Sequence, residues 1–155
     1  MSYKNPLGRS TDYPEQYSPE LLYAIARIDA RSALGIVENL PFHGFDTWNA
    51  WDLTWLDDHG MPQVGTAEIR ISAGSPNLVE SKSLKLYLGS FAMSPYPSAR
   101  DLAAIVSRDL EACTGGEPPP QFDGLLPAVD LTYRVDGTLW GAPFNVSTPL
   151  LMYDG

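Results

Sequence analysis

Residues 48–72 constrain the fold of this chain more than any other stretch. Trp48–Leu56 alternates around Trp51, Leu53 and Trp55, and Gln63–Ser72 carries Val64, Ala67, Ile69 and Ile71. Apolar residues recurring with a period near two mark a strand with one buried face. The turn cluster Asp57-Asp58-His59-Gly60 separates the two runs, so they predict an antiparallel hairpin. Three of the four tryptophans fall within Trp48–Trp55. Sheet packing is the plain role for such large rings. The alternative is that one of them stacks on a heterocycle or on a neighbouring subunit.

Helical spacing follows. Leu84, Tyr87, Leu88 and Phe91 form one apolar face over Lys82–Phe91, and Pro95 and Pro97 then break the chain. Ser98–Cys113 reads as a second helix with the stripe Leu102, Ile105, Val106 and Leu110, and Asp101 is placed like the acid of a capping box. Upstream, Met1–Tyr17 reads as an irregular arm. Ser18-Pro19-Glu20 reads as a capped helix start, followed by a short helical stripe of Leu21, Leu22, Ile25 and Ile28. Residues 29–45 look like a loop. Downstream, Gly115–Pro120 reads as a linker. Leu126–Val135 and Thr138–Phe144, joined by Asp136-Gly137, predict a second hairpin. The order hairpin, helices, hairpin predicts an α+β domain, an antiparallel sheet covered on one face by two main helices.

Composition narrows the functional classes. A chain of 155 residues fits a single domain with a real core. The formal net charge is −9, which opposes direct binding of nucleic acid, whose affinity comes largely from phosphate neutralisation. The single cysteine, Cys113, argues against a disulfide scaffold and fits a reducing cytoplasm. The polar start Met1–Pro6 does not read as a signal peptide, and no apolar run approaches the ~20 residues of a membrane span.

The chemistry is concentrated in Ser75–Leu88. Glu80 stands beside the hydroxyls of Ser81 and Ser83 and the ammoniums of Lys82 and Lys85, where an extended segment becomes a helix. Free backbone N–H groups at a helix start suit an anion, and two lysines there would strengthen phosphate binding. A lone carboxylate suits a different ligand, the paired N–H donors of a guanine-like edge. The plainer reading is that Glu80 is only a favourable charge on the first turn of an amphipathic helix.

Glu80-Ser81-Lys82-Ser83-Leu84-Lys85-Leu86-Tyr87 resembles the signature of the NADPH-dependent 7-cyano-7-deazaguanine reductases, the nitrile reductases of queuosine biosynthesis. The resemblance extends over Leu7-Gly8-Arg9-Ser10-Thr11-Asp12-Tyr13, Asn39-Leu40-Pro41-Phe42-His43-Gly44, Asp46-Thr47-Trp48, Asp52–Leu56, Gly60–Val64, Arg108-Asp109-Leu110 and Cys113. It runs in order from Leu7 to Cys113 and is specific for the N-terminal module of the long, two-module members.

This resemblance implies a tunnelling-fold domain over residues 1–155. That domain would have an arm (1–17), a reductase-like module (18–114) and a divergent C-terminal hairpin and tail (115–155). It implies edge-to-edge assembly of modules, with ligands at the seams. It implies that Glu80 reads the base, with Val79 and Ser81 lining it, and that Ser81, Lys82 and Lys85 reach the phosphates of NADPH. The substrate would be 7-cyano-7-deazaguanine, reduced from nitrile to aminomethyl.

Family members attack the nitrile with a cysteine upstream of the signature or in a second module. Here the only cysteine lies downstream of the signature, at a helix foot, with Glu111 nearby and no histidine close in sequence. A thiol so placed is not activated. Nor does the chain show the family's His-Glu substrate pair: its two histidines are His43, in a loop, and His59, in a turn. Three readings follow. The chain is the ligand-reading module of a reductase, inactive alone and paired with a cysteine-bearing module. It is a stand-alone module that binds a deazapurine or pterin-like base. Or it is a structural tunnelling-fold protein. In all three, open sheet edges predict self-association or pairing.

Overall fold

The computed structural model describes residues 14, 16–36, 40–115, 121–126, 134–135 and 138–139. The N-terminal arm up to Tyr13, most of the 115–120 linker and most of the C-terminal tail lie outside these residues.

The expected central hairpin is present. It directly follows the strand Ala24–Ala26 (β1) and the helix Arg27–Ala33 (α1). Phe45–Leu56 (β2) pairs antiparallel with Pro62–Ser72 (β3), from Phe45↔Ser72 to Leu56↔Pro62. Asp57 shapes the turn. Its carboxylate accepts the N–H groups of His59 at 2.8 Å and Met61 at 2.9 Å and the side-chain amide of Gln63 at 3.0 Å. Those donors, Met61 foremost, hold the Asp57 carboxyl below the ordinary carboxylate range. Gly60 adopts a left-handed φ of 75° there, which suits a residue without a Cβ.

The pairing shifts between Ala50 and Leu53, a bulge that changes which residues face inward. Before it the even-numbered Asp46, Trp48 and Ala50 are the more buried; after it the odd-numbered Leu53 and Trp55 are. Trp51, expected in phase with Leu53 and Trp55, is therefore 54% exposed. On β3 the inward series is Gly65, Ala67, Ile69 and Ile71, and Val64 is exposed rather than part of it.

Asn77–Val79 (β4) leads into Ser81–Gly89 (α2), and Ala99–Thr114 (α3) follows after the proline break. Both helices cover one face of the hairpin, as expected for an α+β domain. Leu84, Tyr87 and Phe91 from the α2 region and Leu102, Val106 and Leu110 from α3 join Leu53, Trp55, Ile69 and Ile71 in one buried cluster. Ser98 caps α3 by accepting the Asp101 N–H at 3.2 Å. The Asp101 carboxylate bonds back to the Ser98 hydroxyl at 2.6 Å. Gly115 closes α3 in the left-handed conformation.

The chain before the hairpin departs from the sequence reading. The expected helix from Ser18 to Ile28 is a single 3-10 turn, Pro19–Leu21, followed by β1. Ser18 supplies no side-chain cap; its hydroxyl turns back to the Gln16 carbonyl. Part of the expected loop after Asp29 is α1. The physical reason is β4. Ala24, Ile25 and Ala26 pair antiparallel with Val79, Leu78 and Asn77, and that ladder outweighs a weak helical stripe.

Arg27 secures this corner. Its guanidinium, 8% exposed, pairs with Asp46 and donates to Ser75 Oγ, and its backbone N–H donates to the Pro76 carbonyl.

The second hairpin also differs. A strand Gln121–Leu126 (β5) pairs antiparallel with β3, giving the order β2-β3-β5. Arg134–Val135 (β6) and Thr138–Leu139 (β7) pair antiparallel; apart from Leu126 in β5, the rest of the expected second hairpin, Asp136-Gly137 included, lies outside the described residues. The Asp136-Gly137 signal falls between these two paired segments. It did not reveal that the β3 partner begins earlier, at Gln121.

Candidate functional site

Glu80 is the residue between β4 and α2, and the fold holds its backbone on both sides. Its N–H donates to the Tyr23 carbonyl at 2.9 Å, and its own carbonyl accepts the Ser83 hydroxyl at 2.7 Å. Ser83, fully buried, also accepts the Tyr23 N–H at 3.0 Å. The extended Glu80 backbone makes it the N-cap of α2.

Its carboxylate folds over the helix start. One oxygen, Oε1, accepts the Lys82 N–H at 2.9 Å and the Ser81 hydroxyl at 3.3 Å; the other, Oε2, accepts the Ser83 N–H at 2.7 Å. The expectation of a helix start with free N–H groups is thus corrected. Glu80 is itself the anion at the positive end of α2, and it is 3% exposed. A carboxylate this deep needs donors aimed at it, and a ligand-reading acceptor uses the same capacity.

The other expected site residues divide by exposure. Val79 is buried behind Glu80, and its backbone is engaged in the β1–β4 ladder. Ser81 is exposed, Lys82 half-buried and Lys85 exposed. Three residues apart on α2, the two lysines share a side of the helix, so their ammoniums can reach one anionic group. The fold therefore brings Val79, Glu80, Ser81, Lys82 and Lys85 onto one β4–α2 corner.

Cys113 is half-buried in the last turn of α3 and packs against the apolar core. Burial pushes its thiol up from the ordinary value. Burial, rather than the neighbouring Glu111, is the cause. An undissociated thiol in an apolar setting is a poor nucleophile. His43 and His59 are both exposed.

A second polar cluster lies away from the signature, and sequence reasoning missed it. Asp109 Oδ2 accepts the phenol hydroxyls of Tyr17 at 2.6 Å and Tyr87 at 2.7 Å, and Oδ1 accepts two N–H groups of Arg108. This ties the segment before β1 to α2 and α3. Burial and the Asp109 carboxylate push the Tyr17 phenol up to about 12 and raise that of Tyr87 further. Arg108-Asp109-Leu110 carried part of the resemblance, but only the folded chain shows Tyr17, 92 positions earlier, at the same carboxylate.

Two open concavities among the described residues lie elsewhere. One, of about 380 Å³, is lined by Trp55, Asp57, Gln63 and Pro97 among others; the other, of about 360 Å³, by Arg27, Arg31, Ile28 and Ile36. Neither includes Glu80. The described residues hold no cluster of His, Cys, Asp and Glu suited to a metal ion, and no helix among them is long and apolar enough to cross a membrane.

Comparison with known proteins gives a consistent answer. A family described as nitrile reductase, 7-cyano-7-deazaguanine-reductase N-term, matches residues 13–118. A protein of Bordetella avium (strain 197N) named NADPH-dependent 7-cyano-7-deazaguanine reductase is 45% identical over 130 residues, covering 84% of this chain and 47% of that protein. A protein of the same name from Dechloromonas aromatica (strain RCB) is 50% identical over 115 residues, 74% of this chain and 41% of its own. Another from Burkholderia orbicola (strain MC0-3) is 50% identical over 118 residues, 76% and 43% respectively. The chain spans less than half the length of these curated relatives.

Proposed function

The chain belongs to the N-terminal family of the 7-cyano-7-deazaguanine nitrile reductases, and on that premise we propose that it is the base-reading module of an NADPH-dependent 7-cyano-7-deazaguanine reductase. The reaction takes a nitrile to an aminomethyl group in queuosine biosynthesis, in the cytoplasm. The observation that carries this reading is the buried Glu80, whose backbone is held by Tyr23 and Ser83 and whose carboxylate accepts the Lys82 and Ser83 N–H groups inside the family-like signature.

In this reading the two oxygens of Glu80 accept the ring N–H and the exocyclic amine of the deazaguanine. One carboxylate matches two adjacent donors and rejects a heterocycle that lacks them. The backbone of Val79 and Ser81 lines the base. Ser81, Lys82 and Lys85 hold the phosphates of NADPH. Because Glu80 already accepts the Lys82 and Ser83 N–H groups, phosphate binding rests on the two ammoniums and the Ser81 hydroxyl rather than on the helix start. When bound, the cofactor supplies the hydride.

The nucleophile comes from a second module. Cys113 is half-buried with a raised thiol pKa, and the relatives are more than twice as long as the stretch they share with this chain. The chain alone therefore does not reduce the nitrile. In this reading the second module also completes the pocket; Glu80 borders neither of the two concavities described above. The seam forms along the outer side of β2, which among the described residues stands at one end of the order β2-β3-β5 and is bridged there only at Leu56, to Pro95. Its partner is a cysteine-bearing module or another copy of the chain.

One observation favours a second reading, a non-catalytic or structural module. Three donors already occupy Glu80, as they would in a protein that kept the cap and lost the ligand. Titration calorimetry separates the two. Saturable binding of 7-cyano-7-deazaguanine that is lost in Glu80→Ala supports base reading. Unchanged binding in Glu80→Ala contradicts it.

A further inference from the structure

Each carboxylate oxygen has room for about two hydrogen bonds. Glu80 Oε1 has two, from the Lys82 N–H and the Ser81 hydroxyl; Oε2 has one, from the Ser83 N–H. Oε1 is therefore full, and Oε2 has one place left. A heterocycle with two adjacent N–H donors needs one place on each oxygen. It finds both only if one present donor leaves. The Lys82 and Ser83 donors are backbone groups fixed in the first turn of α2 and stay on the carboxylate as long as Glu80 keeps its capping rotamer. The Ser81 hydroxyl is the longest contact of the three, at 3.3 Å, and belongs to an exposed residue. It is the donor that yields.

The freed hydroxyl then stands one residue from Lys82 and four from Lys85, at the exposed start of α2. We propose that Ser81 couples two ligands: a base at Glu80 displaces its hydroxyl, and the displaced hydroxyl becomes a donor to a cofactor phosphate. The inference rests on the base-reading role of Glu80 given above. Coupling of this kind is reciprocal, so a phosphate that captures the Ser81 hydroxyl opens Oε1 to the base. Ser81 is a positioning residue in this scheme, because it acts on base affinity through Glu80.

The test is titration of the whole chain with 7-cyano-7-deazaguanine, in the absence of NADP⁺ and at saturating NADP⁺, the oxidised cofactor that precludes turnover. In the native protein NADP⁺ tightens the base about fivefold or more, and the base tightens NADP⁺ by the same factor. In Ser81→Ala the base binds without cofactor more tightly than in the native protein, because no hydroxyl competes for Oε1, and the coupling falls to about one. Ser81→Thr, which keeps a hydroxyl, restores it. Persistence of the coupling in Ser81→Ala overturns the proposal. So does a loss of about tenfold or more in cofactor-free base binding in that variant, which would make Ser81 a direct base ligand. Base binding by the native protein without any coupling overturns the Ser81 proposal and leaves the Glu80 reading intact, whereas no base binding, by the chain and by its complex with a cysteine-bearing module alike, overturns both.

Discussion

Glu80 and Ser83 bond to each other twice: the Ser83 hydroxyl donates to the Glu80 carbonyl at 2.7 Å, and the Glu80 carboxylate accepts the Ser83 N–H at 2.7 Å. The reciprocal pair fixes where the carboxylate stands, and the Tyr23 N–H on Ser83 Oγ fastens it to the segment leading into β1.

Ser83→Ala removes the acceptor of the Tyr23 N–H in a buried setting. Leaving such a donor unpaired costs about 1–3 kcal/mol. Urea unfolding reads this as a lower midpoint with an unchanged slope. Base affinity falls with it, because Glu80 loses its brace.

Glu80→Ala acts on stability and on binding together. Loss of an N-cap costs about 1 kcal/mol. Base binding disappears, since the two donors of the base then lack acceptors. Lys85→Ala, on the exposed side of α2, keeps stability and base binding and weakens NADPH binding alone. Parallel urea and calorimetric measurements on the two variants check the separation.

Cys113 is predicted to be inert. Burial raises its thiol pKa, so alkylation by iodoacetamide at neutral pH is slow in the native protein and accelerates on unfolding. Cys113→Ala leaves base binding unchanged. Rapid alkylation of the folded chain, with concurrent loss of binding, would contradict this.

Much of the architecture is legible from periodicity and punctuation. The β2–β3 hairpin, both main helices and the order of these elements follow from apolar spacing, the Asp57–Gly60 turn and the prolines after Phe91. Two features escape local reading. The bulge after Ala50 moves the inward phase from even to odd residues, and nothing local to Trp51 announces it. The strand Ala24–Ala26 exists because Asn77–Val79 lies beside it, a contact more than 50 residues away along the chain. The site divides in the same way. Glu80 is readable as chemistry from its neighbours and the signature. That its carboxylate closes on its own helix, and that Ser83 and Tyr23 hold it there, requires the folded chain.

The Tyr17–Asp109–Tyr87 cluster predicts alkaline sensitivity. Both phenols have pKa values raised above the ordinary 10.0, Tyr17 to about 12, by burial and by the Asp109 carboxylate. The folded state therefore holds these protons more tightly than the unfolded chain. Their stabilisation is complete below about pH 10 and is lost as pH rises toward 12 and beyond, where the unfolded chain releases protons first. Thermal melting across pH 8–12 should show the decline, and Tyr17→Phe should flatten part of it.

The most direct measurement is calorimetric titration of the purified chain with 7-cyano-7-deazaguanine, with and without NADPH, while absorbance at the reduced-nicotinamide band is followed. The predicted result is saturable binding near one base per module, with no consumption of NADPH. Consumption of NADPH by this chain alone would contradict the assignment of the nucleophile to a second module. Absence of base binding, to the chain and to its complex with a cysteine-bearing module alike, would contradict the base-reading role of Glu80.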